Sequence, residues 1–220
     1  MSDKPLVVSH LSARRGSRQV LTDISFSAHR GEILGVIGPN GAGKTTLFEC
    51  VAGILPFGGG EVVGDPLLYV PDAIRPWPDQ TVRWTLDFMA RAFKTSLDES
   101  LLGELDLIAL QHATVASLSK GEAKRLDVAL GLAVPRPVLL LDEPFDGLDL
   151  RQTRQLMEVL RRVAASGRTL VLSIHQLTDA ARVCDRFLLL DHGRSVAEGT
   201  IEELTRKSGG GLEEVFLALT

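Results

Sequence analysis

A glycine-rich segment between a predicted strand and a predicted helix restricts this chain to very few folds. The segment 38–46 contains the pattern G-x-x-x-x-G-K-[ST] at residues 38–45. The apolar residues 32–37 predict a buried strand before the segment, and residues 46–52 predict a helix after it. Glycines let backbone N–H groups turn inward around a triphosphate, and the helix N-terminus directs its dipole at the phosphates. The predicted nucleotide-binding residues are Gly38, Pro39, Asn40, Gly41, Ala42, Gly43, Lys44, Thr45 and Thr46.

Two side chains of this loop add chemistry of their own. Lys44 supplies a mobile ammonium for the β- and γ-phosphates, and Thr45 supplies a hard hydroxyl oxygen for Mg²⁺. The loop therefore predicts a bound nucleotide with Mg²⁺, and it leaves open what the nucleotide's energy is used for.

Composition favours one large domain in a reducing compartment. The 220 residues are 45% hydrophobic, which is enough for a well-filled core, and the net charge of −4 argues against an extended nucleic-acid surface. Cys50 and Cys184 lie in apolar helical patterns, which favours core packing over a disulfide. Residues 1–5 lack the apolar segment of a signal peptide, and no run approaches the roughly 18 apolar residues of a membrane span.

Strands alternate with helices along most of the chain, which predicts a parallel sheet covered on both faces. Residues 6–11 and 20–26 predict two strands joined by a basic turn, and residues 79–116 predict a helical lobe. We expect an α/β fold in a single domain over residues 1–220. Its phosphate-loop NTPase core has a mainly parallel sheet flanked by helices, with a small N-terminal antiparallel β subdomain and the inserted helical lobe. The other predicted strands cover residues 61–63, 67–70, 138–142, 169–174 and 186–190.

Two carboxylates follow the most apolar predicted strand. Asp142 and Glu143 should lie at the strand's carboxyl end beside the phosphate loop, on opposite faces of the strand. Asp142 then joins Thr45 in the Mg²⁺ shell, usually through water, while Glu143 polarises the attacking water. His175 follows another predicted core strand, where its imidazole can bond the γ-phosphate. The alternatives are a solvated strand end and an ordinary surface histidine.

The segment Leu118-Ser119-Lys120-Gly121-Glu122 adds a further motif between the helical lobe and the apolar strand. Together with the phosphate loop, the triplet Asp142-Glu143-Pro144, the run Asp146-Gly147-Leu148-Asp149 and His175, in that order, it strongly resembles the ATP-binding cassette (ABC) ATPase family. The resemblance covers nearly the whole chain and implies ATP and Mg²⁺ as cofactors.

In that family the signature segment opens a helix that faces the γ-phosphate of ATP held by a second subunit. The resemblance therefore assigns Ser119, Lys120, Gly121 and Glu122 to a site acting in trans, with Ser119 also an N-cap. It implies a head-to-tail pair, either a homodimer or a pair with a paralogue, and it assigns Asp149 to the family's D-loop aspartate.

Three residues depart from the family pattern. Arg15 stands near the position of an adenine-stacking aromatic residue, and its guanidinium plane can stack on the base; weak base recognition is the alternative. Asp72 stands where the family has its Q-loop glutamine, and a carboxylate there can still reach Mg²⁺ or water near the γ-phosphate. Lys120 replaces a signature glycine and adds a phosphate contact or faces solvent.

The resemblance implies an ATPase subunit of a membrane transporter. Residues 212–217 are similar to the ending of subunits from ABC-2-type exporters of drugs, lipids and polysaccharides, which favours export. The expected partners are a second ATPase subunit and a separate transmembrane permease, with the chain cytoplasmic and peripheral on the inner face of the membrane. Trp77 and Trp84 are candidates for the permease contact, with packing in the lobe core as the alternative. Other hypotheses are a soluble ABC ATPase of an assembly or remodelling complex, and a nucleotide kinase or GTPase.

Overall fold

The computed structural model describes residues 3–208 and residue 214, and these form two β-sheets surrounded by helices. The strands are β1 (Leu6–Arg15), β2 (Arg18–Ala28), β3 (Ile33–Ile37), β4 (Gly59–Gly64), β5 (Leu67–Val70), β6 (Val138–Asp142), β7 (Thr169–Ile174), β8 (Arg186–Asp191) and β9 (Arg194–Gly199). The helices are α1 (Lys44–Val51), α2 (Val82–Ala92), α3 (Glu99–Glu104), α4 (Lys120–Ala133), α5 (Leu150–Ala165), α6 (Leu177–Val183) and α7 (Ile201–Ser208).

The larger sheet brings the predicted functional segments to one edge. Its order is β5-β6-β7-β3-β8-β9, with every neighbouring pair parallel except β8 and β9. Because β6, β7 and β3 are neighbours and run in the same direction, the segments that follow them meet at their common carboxyl edge. These segments hold the phosphate loop, the two carboxylates and His175.

Both faces of this sheet are buried, which explains its almost uninterrupted apolar strands. Along β3, Ile33 and Ile37 pack into one core, whereas Leu34 and Val36 pack into the other. One face is covered by α1 and the smaller sheet, and the opposite face by α4, α5, α6 and the helical segment before α4. The α/β class with a mainly parallel sheet and a small antiparallel sheet is confirmed.

The smaller sheet has the order β2-β1-β4 and is antiparallel throughout. The two N-terminal strands are longer than predicted and pair across the basic turn. The sequence also predicts two short strands around the turn at residues 64–66, but they belong to different sheets: β4 pairs with β1, and β5 pairs with β6. This separation places the end of β5 beside β6 at the functional edge.

The segment from residue 81 to residue 117 is helical, as the periodicity predicts. It holds α2, α3 and two 3-10 turns, and a bridge between Thr81 and Thr114 joins its ends. Thr81 caps α2 by accepting the Trp84 backbone N–H at 3.1 Å. The buried face of the segment packs against α4 in the larger core.

Three aromatic side chains form a cluster on the outside of this helical segment. Trp77, Trp84 and Phe88 are 38%, 41% and 42% exposed, and their ring centroids lie 4.8–5.8 Å apart. We call them the aromatic cluster. Trp84 thus lies in this surface group rather than in the core. Residues 212–217, which are similar to the ending of exporter subunits, lie outside the described residues, apart from Glu214.

Candidate functional site

The phosphate loop joins β3 to α1, as the pattern predicts. Gly43 has φ +107°, and a Cβ there would lie 2.7 Å from Cδ2 of Leu21, so the position requires glycine. Lys44 opens α1, is 7% exposed, and donates from Nζ to the carbonyl oxygen of Gly38 at 2.8 Å. A helix N-terminus and a buried ammonium together make this loop strongly favourable for a phosphate.

The first carboxylate lies at the end of β6 and is held on both oxygens. Asp142 is 2% exposed, and its Oδ2 accepts from the Thr45 hydroxyl at 2.8 Å and from the Tyr69 hydroxyl at 3.1 Å. Its Oδ1 accepts from the Ser173 hydroxyl. Burial, with the nearby Asp142 carboxylate, raises the pKa of Tyr69, so its hydroxyl stays protonated and donates. The structure therefore brings Thr45 and Asp142, the two predicted metal residues, into contact.

The second carboxylate points to different partners, as strand alternation predicts. Glu143 Oε1 lies 3.4 Å from Lys44 Nζ, and Oε2 lies 2.6 Å from His175 Nδ1. The backbone of Glu143 has φ +48°, a left-handed conformation that is uncommon for a residue with a side chain. Its N–H donates to the carbonyl oxygen of Ser173 at 3.2 Å and to the Ser173 hydroxyl at 2.9 Å.

A cavity of about 480 Å³ opens beside the loop, within the size range of small-ligand pockets. Arg15 lines it, as predicted, but its guanidinium is engaged: Nε donates to the Thr46 hydroxyl at 3.2 Å, and Nη2 pairs with Glu49. Arg18, from the predicted basic turn, lines the same cavity. The lining residues are Arg15, Arg18, Val20, Asn40, Gly41, Gly43, Lys44, Thr45, Thr46, Asp72 and Glu143.

Hydrogen bonds connect the segment after β5 to α4 and to the residues that precede α4. Asp72 lines the cavity, and its Oδ1 accepts from Lys124 Nζ at 2.6 Å. The same ammonium is 4% exposed and lies 3.4 Å from the carbonyl oxygen of Asp142. Arg75 donates at 2.8 and 2.9 Å to two carbonyls within residues 115–118. These bonds connect the cavity wall to the start of α4.

The predicted signature residues begin α4. Ser119 is an exposed N-cap that accepts the Glu122 N–H at 3.3 Å, and the Glu122 side chain accepts the Ser119 N–H at 2.8 Å. This reciprocal capping box satisfies two free helix-end donors. The hydrogen bond from the Ser119 backbone holds the pKa of the Glu122 carboxyl below its usual range.

The residues after β6 pack against the signature. Lys120 Nζ lies 2.6 Å from an Asp146 oxygen, and this hydrogen bond lowers the pKa of the Asp146 carboxyl. A Cβ on Gly121 would lie 2.6 Å from the carbonyl oxygen of Gly147, so these backbones meet closely. Asp149 caps α5 through a capping box. Among the described residues that line the loop cavity, none belongs to residues 119–122.

Asp127 is a buried carboxylate without a hydrogen-bond partner among the described residues. It is 2% exposed, lies one helical turn after Lys124, and lines a small cavity that also reaches Asp72 and Arg75. Burial raises its pKa from 3.8 to about 7, although Lys124 and Arg75 act in the opposite direction.

The sequence did not lead us to five polar residues of this region, although four of them stand at positions that are unusual for their residue type. Ser173 is a hydroxyl within the otherwise apolar residues 170–174, two residues before His175, and Tyr69 is the next-to-last residue of β5, just before residues 71–78 with their three prolines. Lys124 and Asp127 are charged residues on the buried side of α4. Charges among the apolar positions of an amphipathic helix are unusual and indicate a special role. Arg18 had no distinguishing pattern.

A phosphate loop and two carboxylates at the carboxyl edge of a parallel sheet define the chain as a phosphate-loop NTPase. It belongs to the ABC transporter family, whose model matches residues 21–146. The chain is thus an ATP-binding subunit of an ABC transporter with ATPase activity.

Similar proteins include two curated relatives and one solved structure. The Nod factor export ATP-binding protein I of Ralstonia nicotianae is 35% identical over 231 residues, covering 96% of this chain and 72% of the relative. The daunorubicin resistance ATP-binding protein DrrA3 of Streptomyces coeruleorubidus is 33% identical over 237 residues, covering 99% and 75%. A solved ATP-binding subunit of an ABC transporter superposes with TM-score 0.90 at 29% identity, covering 97% of this chain and 98% of that one.

The described residues give two further findings. None of their helices has both the length and the apolar character required to cross a bilayer. They also contain no group of three or more histidine, cysteine, aspartate or glutamate side chains arranged to hold a metal ion.

Proposed function

We propose that this chain drives export by hydrolysing ATP between two subunits arranged head to tail. The observation that carries the proposal is the one-sided lining of the loop cavity. Lys44, Glu143 and Asp72 line it, whereas the exposed Ser119 and the rest of its segment lie elsewhere in the chain. A second subunit is needed to supply its signature segment to this cavity.

Within one subunit, each residue around the phosphates has a role that follows from its contacts. Lys44 neutralises the β- and γ-phosphates from the loop. Glu143, held by His175 on one oxygen, polarises the attacking water with the other. His175 also bonds the γ-phosphate. Asp72 reports the γ-phosphate from the cavity wall, while Arg15 borders the base.

The residues present fit a magnesium ion. Mg²⁺ usually takes one or two protein oxygens together with water and substrate phosphates, so it does not need a dedicated cluster. Thr45 Oγ1 and Asp142 Oδ2 are two such oxygens 2.8 Å apart. Thr45 would hold the ion directly and Asp142 through water. When bound, Mg²⁺ neutralises charge on the phosphates.

Signature residues of the second subunit complete the site. The exposed Ser119 hydroxyl and the N-terminus of α4, which includes the Gly121 N–H, suit a phosphate anion. Lys120 adds positive charge nearby, and Glu122 keeps the cap in place. Asp149 lies at the start of α5 and would communicate across the interface.

A separate membrane subunit would receive the movement. The name of the Nod factor export ATP-binding protein I, one of the two relatives, supports this direction, and the aromatic cluster offers a surface for the contact. The chain would then act at the inner face of the membrane through its partner. Residues 71–78, which contain three prolines, carry both Trp77 and Arg75, and Arg75 donates to two carbonyls within residues 115–118, before Ser119.

The Glu143→Gln variant tests the subunit arrangement. It should bind ATP, hydrolyse it poorly and form a stable dimer, which light scattering coupled to size-exclusion chromatography detects. Adding Lys44→Ala should abolish ATP binding and the dimer together. Adding Ser119→Arg should abolish the dimer while ATP binding persists. A Glu143→Gln protein that stays monomeric at saturating ATP contradicts the head-to-tail arrangement.

The transport partner is tested by co-purification from detergent-solubilised membranes. An integral membrane protein should accompany the wild type, and Trp77→Ala with Trp84→Ala should release it. Ile54→Ala removes an exposed hydrophobic residue outside the aromatic cluster and serves as the matched control. Recovery of only soluble partners would favour the assembly-complex alternative.

A further inference from the structure

We propose that Ser173 is a positioning residue for both carboxylates of the site. This inference rests on the proposed roles of Asp142 and Glu143. Ser173 is fully buried in β7 and lies opposite Asp142 in the register between β6 and β7. Its hydroxyl donates to Asp142 Oδ1 and accepts the Glu143 N–H at 2.9 Å. A hydroxyl has one donor and two acceptor sites, so one side chain satisfies both contacts at once.

The contact with Glu143 stabilises an unfavourable backbone. A residue with a side chain at φ +48° is in an unfavourable conformation that persists only where its surroundings impose it. Ser173 accepts the Glu143 N–H with both its hydroxyl and its carbonyl oxygen. Two residues further along, His175 holds the side chain of Glu143 at 2.6 Å. The end of β7 thus fixes Glu143 at its backbone and at its carboxylate.

The contact with Asp142 selects which oxygen faces the loop. A carboxylate rotates easily about its last torsion, which has a broad twofold preference. Because Ser173 occupies Oδ1, Oδ2 is the atom that meets the hydroxyls of Thr45 and Tyr69. Without Ser173, Oδ1 would be a buried oxygen lacking its partner, and the carboxylate would turn to regain one. Ser173 therefore sets the orientation of one carboxylate and the backbone of the other.

The alternative is that Ser173 only satisfies a buried polar group within the sheet. The strand offers a matched control, because Thr169 is also fully buried and its hydroxyl donates to the His29 carbonyl at 2.8 Å, at the opposite end of β7. Ser173→Ala and Thr169→Val each remove one buried hydroxyl from the same strand. Of the two hydroxyls, only that of Ser173 contacts Asp142 and Glu143.

Steady-state ATP hydrolysis and magnesium dependence separate the two explanations. For Ser173→Ala we expect kcat to fall by about 10–100-fold, the range for lost supporting contacts at catalytic sites, with KM for ATP within about threefold of wild type. The Mg²⁺ concentration needed for half-maximal binding of a fluorescent ATP analogue should rise. Thr169→Val should lower the melting temperature and leave kcat and the Mg²⁺ titration unchanged.

A kcat for Ser173→Ala within twofold of wild type overturns the proposal, whatever its melting temperature. If this variant does not fold, Ser173→Cys replaces it, because the slightly larger sulfur leaves no cavity and is only a weak donor and acceptor. The same fall in kcat is then expected, and wild-type turnover overturns the proposal. Glu143→Gln is assayed in the same experiment. If this variant keeps wild-type turnover, the proposed role of Glu143 is wrong, whatever the result for Ser173.

Discussion

Replacing Asp127 with asparagine should change how the stability of this protein depends on pH. Asp127 is 2% exposed, and neither of its carboxylate oxygens has a hydrogen-bond partner among the described residues. Lys124 and Arg75 attract the ionised form, but burial outweighs them and raises the pKa to about 7. The folded state therefore favours the neutral carboxyl.

The sign and size of the effect follow from proton linkage. Because the pKa of Asp127 is higher in the folded state than in the unfolded state, its stabilising contribution is complete below about pH 4 and is lost as pH rises through 7. A rise from 3.8 to about 7 corresponds to about 4 kcal/mol in the free energy of unfolding. Between pH 5 and pH 8 the expected loss is about 3 kcal/mol.

Urea unfolding of wild type and Asp127→Asn at several pH values between 5 and 8 measures this loss. If the asparagine amide packs poorly, the unfolding free energy of Asp127→Asn falls by the same amount at every pH. The diagnostic quantity is therefore the pH dependence of the difference in unfolding free energy between the variant and wild type. The variant should gain stability relative to wild type as pH rises. Glu158→Gln, at an exposed carboxylate on α5, should give a curve parallel to wild type. Parallel wild-type and Asp127→Asn curves would refute the reasoning.

Three further variants probe contacts around α4. Lys124→Gln should cost about 1–2 kcal/mol through its bond to the partly exposed Asp72, and a double-mutant cycle with Asp72→Asn in urea should give a coupling of similar size. Gly121→Ala should lower the unfolding free energy by about 1–3 kcal/mol, because its Cβ would lie 2.6 Å from the Gly147 oxygen, and thermal melts measure this. Arg168→Met removes donors from three carbonyls at the end of α4 and should destabilise by about 3 kcal/mol with KM for ATP unchanged.

The parts of the fold that the sequence predicts well are those with local signals. The phosphate loop combines a fixed glycine spacing with a strand before it and a helix after it, and all three occur where expected. Helix α4 begins at Lys120 because Ser119 and Glu122 form a capping box, which adjacent residues encode. The strand at residues 169–174 is bounded as predicted, since an apolar run of that length ends at polar residues.

What the sequence cannot predict depends on pairing between distant segments. The strands β4 and β5 flank a short turn, yet each finds its partner in a different sheet, and nothing in the local sequence specifies that choice. Likewise, the resemblance places Asp72 where the family has its Q-loop glutamine, but the bond from Lys124 to Asp72 joins residues 52 positions apart. Exposure of the aromatic cluster also depends on which face α2 turns to the core.

The bonds of Lys124 and Arg75 imply that the cavity wall and the signature helix move together. Lys124 ties Asp72 to α4, and Arg75 ties the same segment to the carbonyls just before Ser119. A phosphate that displaces Asp72 within the cavity must therefore either break the ion pair or pull on α4. Because Lys124 is almost fully buried, breaking the pair leaves a desolvated charge, which is costly. Movement of α4 with Asp72 is then the less costly response, and in the proposed head-to-tail arrangement it would carry Ser119 toward or away from a second subunit.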